Sequence, residues 1–284
     1  MIPQAVILLG GRGTRIAAQF PDRPKCLVPV GGKPFLERQL DWLRANGIAN
    51  VLLAAGHMAG VLEDWIARRP PDALRITLSR EPEPLGTGGA LRFVEPQLAS
   101  DPVLVLNGDS LAPSLGFSTP WKMFGGVFHA MENFSDIFPR YGRFSEEFST
   151  LWKKVFHAVE NPDGFFHAVE NFFPRCGKLF VAPIEEAGRY GTVEFDADGF
   201  VTAFREKADR AGGFVNAGIY LLPRDMIAAV PAGQPVSLET EIFPALAAER
   251  RLAVLPCPPP LLDMGTPEGL AAMETFLLNR TGSI

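Results

Sequence analysis

Short apolar runs alternate with amphipathic stretches through the first hundred residues. Residues 6–9 are a four-residue apolar run that ends in Gly10-Gly11-Arg12-Gly13-Thr14-Arg15, the pattern of a buried strand feeding a loop. Residues 27–30 read as a short strand, followed by the turn Gly31-Gly32 and by Pro34 at a first helical turn. Leu36, Leu40 and Leu43 then recur on one helical face as far as Gly47, a C-cap. Residues 48–55 read as a further strand, 59–68 as an amphipathic helix and 75–78 as another strand. The stretch from Glu81 to Leu91 opens a helix, and the apolar run 103–106 ends at Asn107-Gly108-Asp109. This order of elements predicts an α/β protein with a mostly parallel, doubly wound sheet. Farther on, 192–195 and 200–204 alternate in polarity around Asp196-Ala197-Asp198-Gly199, which predicts a hairpin. Ser237 is a candidate N-cap for a helix just after it.

The composition narrows the class. The chain has 284 residues, 47% hydrophobic and 21% charged, with a net charge of −5. That is a globular composition, and its charge points away from a nucleic-acid partner. Cys26, Cys176 and Cys257 are odd in number and far apart, so they form neither a disulfide nor a metal pattern and imply a reduced, cytoplasmic setting. The first residues have no basic segment of the signal-peptide kind, and no apolar run is long enough to span a membrane.

The loop after the first strand has the most specific chemistry. Glycines 10, 11 and 13 permit a tight turn and a close backbone approach to a ligand, and exposed N–H groups there suit phosphate oxygens. Arg15 and Lys25 bring two cations nearby, with Pro24 stiffening the chain before Lys25. A P-loop is excluded because Gly32-Lys33 is followed by Pro34, and a dinucleotide fingerprint fails at Ile16. What remains is a polyphosphate site.

G-G-x-G-T-R followed by P-K resembles the signature loop of the sugar-1-phosphate nucleotidylyltransferases. The resemblance covers roughly residues 1–111 and 179–275, and the heptose- and mannose-1-phosphate guanylyltransferases are the most similar members. It implies transfer of a nucleoside monophosphate from a triphosphate to a sugar 1-phosphate, with Mg²⁺ as cofactor and pyrophosphate released. Arg15 and Lys25 then neutralise the phosphates, and Leu9, Gly10, Gly11, Gly13 and Thr14 wrap the nucleotide. Glu83, Gly86, Thr87, Gly88 and Gly89, within E-P-L-G-T-G-G-A, hold the base and ribose. Asp109 and Asp263, the latter in D-x-G-T-P, hold the metal, although an Asp before a helix also suits an N-cap. Tyr190, Gly191, Glu206, Lys207, Asn216 and Gly218 line the sugar-phosphate pocket, which makes the hairpin an inserted sugar-binding region. The base is expected to be guanine, whose two pairing-edge donors suit an acidic acceptor, Glu81 or Glu83. A UTP-dependent enzyme acting on an amino-sugar 1-phosphate such as N-acetylmuramate 1-phosphate, and a non-catalytic nucleotide-sugar-binding subunit, stay open as alternatives.

Residues 1–284 are read as a single nucleotidyltransferase domain in which 113–178 stands apart as a Phe-rich insertion. Thirteen of the 22 Phe fall between Phe117 and Phe180. Three near-copies of F-H-A-[MV]-E-N, starting at Phe128, Phe156 and Phe166, are unequally spaced and so form no solenoid. Their His-x-x-Glu pairs, His129/Glu132, His157/Glu160 and His167/Glu170, share a helical face, but amphipathic helices burying Phe account for them better than a metal site. An apolar segment of this size favours a homo-oligomer contact.

Overall fold

The computed structural model describes residues 4–11, 13–115, 169, 173–186, 191–205 and 211–281. The repeats around His129, His157 and His167 lie outside the described residues, as do Tyr190, Glu206 and Lys207. The chain divides into two compact units. One comprises residues 3–111, 224–242 and 262–284; the other comprises 1–2, 112–223 and 243–261.

In the first unit the chain runs through β1 (Ala5–Leu8), α1 (Thr14–Ala17), β2 (Pro29–Val30), β3 (Lys33–Pro34), α2 (Phe35–Ala45), β4 (Asn50–Ala55) and α3 (Ala59–Ala67). It continues through β5 (Arg75–Arg80), α4 (Gly86–Val94), β6 (Val103–Asn107) and β7 (Ser110–Leu111). Strands β6, β1, β4 and β5 lie in that order, every pair parallel, with Ala5 opposite both Val51 and Leu104. Val6, Ile7, Leu52, Leu53, Leu104 and Val105 are all fully buried, which is why β1, β4 and β6 read as apolar runs. Strand order reverses at β1, so right-handed crossovers put α4 on the face opposite α2 and α3.

Helix α2 turns Leu36, Leu40 and Leu43 into the core, each contributing roughly 1.5–3 kcal/mol. It ends in a Schellman motif: Ile48 N–H donates to Leu43 O and Gly47 N–H to Arg44 O. Pro34 precedes the helix instead of sitting in its first turn. Its backbone is extended, and it pairs with Pro29 across β2 and β3.

The second unit contributes β8 (Gly177–Glu186), β9 (Thr192–Phe195), β10 (Val201–Arg205) and β11 (Ala211–Leu222). The chain returns to the first unit with α5 (Arg224–Ala228) and a single π turn, Leu238–Ile242. It adds α6 (Phe243–Ala248) and β12 (Leu252–Pro256) to the second unit, then finishes in the first with β13 (Leu262–Asp263) and α7 (Pro267–Thr281). Here the sheet is mixed: β12 runs parallel to β8, and β8–β11, β11–β9 and β9–β10 are antiparallel. The expected hairpin is β9–β10. Asp196 Oδ1 closes its turn by accepting the N–H groups of Asp198 and Phe200, a turn role suited to Asp. Phe243 of α6 packs edge-on against the buried Tyr220 ring at 4.9 Å.

Ser237 caps as its sequence suggests, accepting Thr240 N–H at 3.2 Å. The element it caps is the π turn rather than an α-helix. No helix among the described residues is long and apolar enough to cross a membrane.

Candidate active site

A cavity of about 480 Å³ opens in the first unit where the strand order reverses. Ligands in open α/β sheets bind at that switch point, beyond the carboxyl ends of the strands. Its walls come from the loop after β1 (Leu9, Gly10, Gly11, Gly13), from Pro24 and Lys25, from the segment after β5 (Glu81, Pro84, Gly86, Thr87), and from the turn after β6 (Gly108, Asp109).

Gly13 adopts a left-handed conformation, φ 56°, at the start of α1, and a Cβ there would sit 3.0 Å from the Cβ of Lys25. The loop can therefore fold back over Lys25 only with glycine at this position. Gly11 is exposed, and Arg15 is exposed on α1. Lys25, largely shielded, sits at the start of a 3₁₀ turn and places its Nζ 2.8 Å from Asp109 Oδ2. Asp109 Oδ1 accepts the hydroxyl of Ser110 at 3.2 Å.

Asp263 reaches the same place through β13, which pairs antiparallel with β7 so that Asp263 faces Ser110. The N–H of Met264 donates to Asp109 O at 2.9 Å. Burial first, and then the Asp109 charge, push the Asp263 carboxyl above its ordinary range; the Gly265 N–H, Lys25 and Arg15 act in the other direction. Capping of α7 falls to Thr266, whose Oγ1 accepts Gly269 N–H. The N-cap role open to Asp263 is thus filled by a neighbour, and its carboxylate is left beside Asp109.

In the segment after β5 the two glutamates part company. Glu83 is exposed and lines no part of the cavity, whereas Glu81 is buried, 5% exposed, and lines it. Glu81 Oε2 accepts Leu85 N–H at 3.2 Å, and Oε1 is buried without a hydrogen-bond partner among the described residues. Burial raises its carboxyl above the usual range, against the opposing Leu85 hydrogen bond.

Gly88 and Gly89 are buried, and both donate their N–H groups to Val236 O, at 2.8 and 3.2 Å. Those amides are thus committed within the protein. A Cβ on Gly86 would come within 2.5 Å of Val236 O, and one on Gly89 within 2.7 Å of Gln234 O. The glycines of G-T-G-G therefore let a distant segment press on α4. Thr87 Oγ1 completes the brace, donating to Glu239 Oε2 at 2.7 Å and accepting Leu238 N–H at 2.8 Å. Residues 234–239 escaped the motif reading, because the only local signal is the Ser-x-Glu of a cap.

Of the expected sugar-side residues, Gly191, Asn216 and Gly218 are described, in the second unit. Gly191 is exposed. Asn216 stands where the β11–β8 register breaks, accepting Gly218 N–H at 2.8 Å and donating to Tyr220 Oη at 3.0 Å. Gly218, φ 68°, sits in the irregularity.

A parallel α/β unit with a glycine loop and a cavity at its switch point is a nucleotide-binding architecture. Residues 5–115 match the MobA-like NTP transferase domain, and 167–280 match the nucleotidyl transferase domain. The chain is 30% identical over 223 residues to D-glycero-alpha-D-manno-heptose 1-phosphate guanylyltransferase of Campylobacter jejuni, covering 78% of this chain and 77% of that one. It is also 30% identical over 267 residues to mannose-1-phosphate guanylyltransferase of Mycobacterium tuberculosis, covering 93% of this chain and 61% of that protein. The chain spans about three fifths of the length of the mannose-1-phosphate guanylyltransferases it matches. Among solved structures, HddC from Yersinia pseudotuberculosis superposes with a TM-score of 0.72 at 22% identity, over 97% of this chain and 100% of that one. HddC has also been solved in complex with GMP-PN. The chain belongs to the sugar-1-phosphate nucleotidyltransferase family.

Proposed function

We propose that the chain transfers GMP from GTP to a heptose- or mannose-type sugar 1-phosphate, giving a GDP-sugar and pyrophosphate. The observation that supports this best is the switch-point cavity, which is lined both by the Lys25–Asp109 cation–carboxylate pair and by a buried, half-satisfied glutamate, Glu81. Guanine presents N1–H and a 2-amino group on one edge. Glu81 offers a carboxylate oxygen with no donor of its own, and a desolvated acceptor left unpaired is costly. Uracil has one pairing-edge donor and would fill that need less well.

The phosphate end follows from charge. The attacking phosphate oxygen of the sugar 1-phosphate is already ionised, so no general base is required. Its attack on the α-phosphorus expels pyrophosphate in line, and the protein contributes positioning and neutralisation. Lys25 is placed to move from Asp109 onto the transferring phosphates, Arg15 adds a second cation, and the loop at Gly10, Gly11 and Gly13 offers backbone N–H groups.

The donor set fits a magnesium ion. Asp109 and Asp263 are hard oxygen donors brought side by side, and the Asp263 carboxyl is raised by burial and then by the like charge of Asp109. Two protein carboxylates suit an ion that keeps waters and shares the rest of its sphere with phosphates. When bound, Mg²⁺ would lend charge stabilisation to the triphosphate. All three cysteines are buried, with Cys26 and Cys257 pushed up to about 12 by burial; buried thiols outside any disulfide fit a cytoplasmic enzyme.

Pyrophosphate release, measured for four nucleoside triphosphates against a panel of sugar 1-phosphates, tests the reading. GTP with a heptose or mannose 1-phosphate should be the best pair. Preference for UTP would overturn the base assignment, and nucleotide binding without turnover would leave a binding subunit.

A further inference from the structure

We propose that Gln39 of α2 is a positioning residue that holds the turn bearing Asp109, an inference that rests on the reading of Asp109 as a metal carboxylate. Gln39 is wholly buried, although it lies on the same stripe as Leu36, Leu40 and Leu43. Its Nε2 donates to Asn107 O at 2.9 Å and to Ser110 O at 2.9 Å. Both amide hydrogens are thus spent on two carbonyls that bracket Gly108 and Asp109. Because both neighbours are carbonyl oxygens, the amide can face only one way. Its own Oε1 is buried without a partner among the described residues. A side chain kept only to fill the core would be better as leucine or methionine, which bury no polar atom. The two N–H groups are what the site gains from a glutamine here.

Lys25 and the Ser110 hydroxyl hold the Asp109 carboxylate, and two further restraints act on the backbone of the turn. Gly108 N–H donates to Leu8 O at 3.0 Å, and a Cβ on Gly108 would meet Leu9 Cδ2 at 2.3 Å, so the turn lies hard against β1. Met264 N–H holds Asp109 O. Gln39 supplies the clamp from the helix side, a side chain that holds the backbone carbonyls of the turn. Without it, two carbonyls lose a buried donor and the turn can shift toward other partners. Displacement of a ligand carboxylate by about 0.5 Å is already enough to spoil a metal or catalytic geometry.

The test uses Mn²⁺ as the probe, with its affinity measured by electron paramagnetic resonance on the whole chain together with a non-hydrolysable GTP analogue. Gln39→Met, which matches the shape and lacks the N–H groups, should weaken Mn²⁺ binding roughly tenfold, the usual scale for a group behind a metal ligand. In an Asp109→Asn background the same change should add less than about twofold, because the residue it acts through is gone. A merely structural glutamine would lower thermal stability equally in both backgrounds and leave Mn²⁺ affinity unmoved, which would overturn the proposal. Gln39→Asn keeps the amide but loses its reach, and it serves as the second variant if Gln39→Met does not fold. If Asp109→Asn alone leaves Mn²⁺ affinity unchanged, the metal role of Asp109 falls, a failure distinct from normal affinity in Gln39→Met alone.

Discussion

Lys25 Nζ lies 2.8 Å from Asp109 Oδ2, across 84 residues of sequence. Each is the other's charge partner in the free protein. On the proposed reading, a triphosphate in the cavity would give each a second partner, phosphate oxygen for the cation and the metal for the carboxylate. Exchange of partners within one pair would then let the site meet a highly charged substrate without first carrying an excess of either sign.

Asp109→Asn and Asp263→Asn should each lower turnover by on the order of 10²-fold or more. The fold should survive, because Asn keeps the shape at both positions. Circular dichroism and a thermal melt check the fold, and pyrophosphate release at saturating Mg²⁺ checks the activity. Near-normal turnover in either variant would remove that residue from the metal site.

Lys25→Ala separates binding from chemistry. Charge builds on the departing pyrophosphate, so a cation that follows it stabilises the transition state more than the bound triphosphate. The expected result is a fall in kcat larger than the rise in KM for GTP. A change confined to KM would restrict Lys25 to ground-state binding.

How much of this was legible in the sequence depends on how local each feature is. The parallel strands, the Gly10–Gly13 loop and the strand-borne Asp109 could be read directly, because apolar runs and glycines act over a few residues. The choice between Glu81 and Glu83 could not: β5 runs two residues past the expected end at Leu78, to Arg80, and so sets Glu81 at the cavity. The glycines of G-T-G-G resemble a loop that holds base and ribose, yet the amides of Gly88 and Gly89 bond to Val236, nearly 150 residues away. Gln39 did leave a signal, a polar residue on the buried stripe of an amphipathic helix.

Glu81→Gln tests the base reading and a pH dependence together. Burial raises the Glu81 carboxyl from its ordinary 4.5, so folding favours the protonated form. The stability this group contributes is fully present below 4.5 and is lost as pH rises through the folded-state value. The Tm of Glu81→Gln should therefore match wild type near pH 4 and exceed it near pH 7. At the same time the preference for GTP over UTP should fall by roughly tenfold or more, the scale of one charged hydrogen bond. A Tm difference that shrinks as pH rises would contradict the buried, ionised carboxylate.

The brace on α4 predicts a reversal of ordinary helix propensity. Replacing a helical glycine by alanine normally stabilises a helix by about 1 kcal/mol. Gly60 in α3 is such a position: it is exposed, and a Cβ added there would meet nothing within 4 Å, so Gly60→Ala should gain up to that amount. Gly89 in α4 is not, since its Cβ would lie 2.7 Å from Gln234 O and 3.0 Å from Leu85 Cβ. Overpacking of this kind costs roughly 1–3 kcal/mol, and the backbone on the far side has little room to retreat because Val236 N–H and O are bonded to Leu85 and to Gly88 and Gly89. Urea denaturation of the two variants should give shifts of opposite sign. If Gly89→Ala is as stabilising as Gly60→Ala, residues 234–236 do not press on the start of α4, and the glycines there answer to a ligand instead.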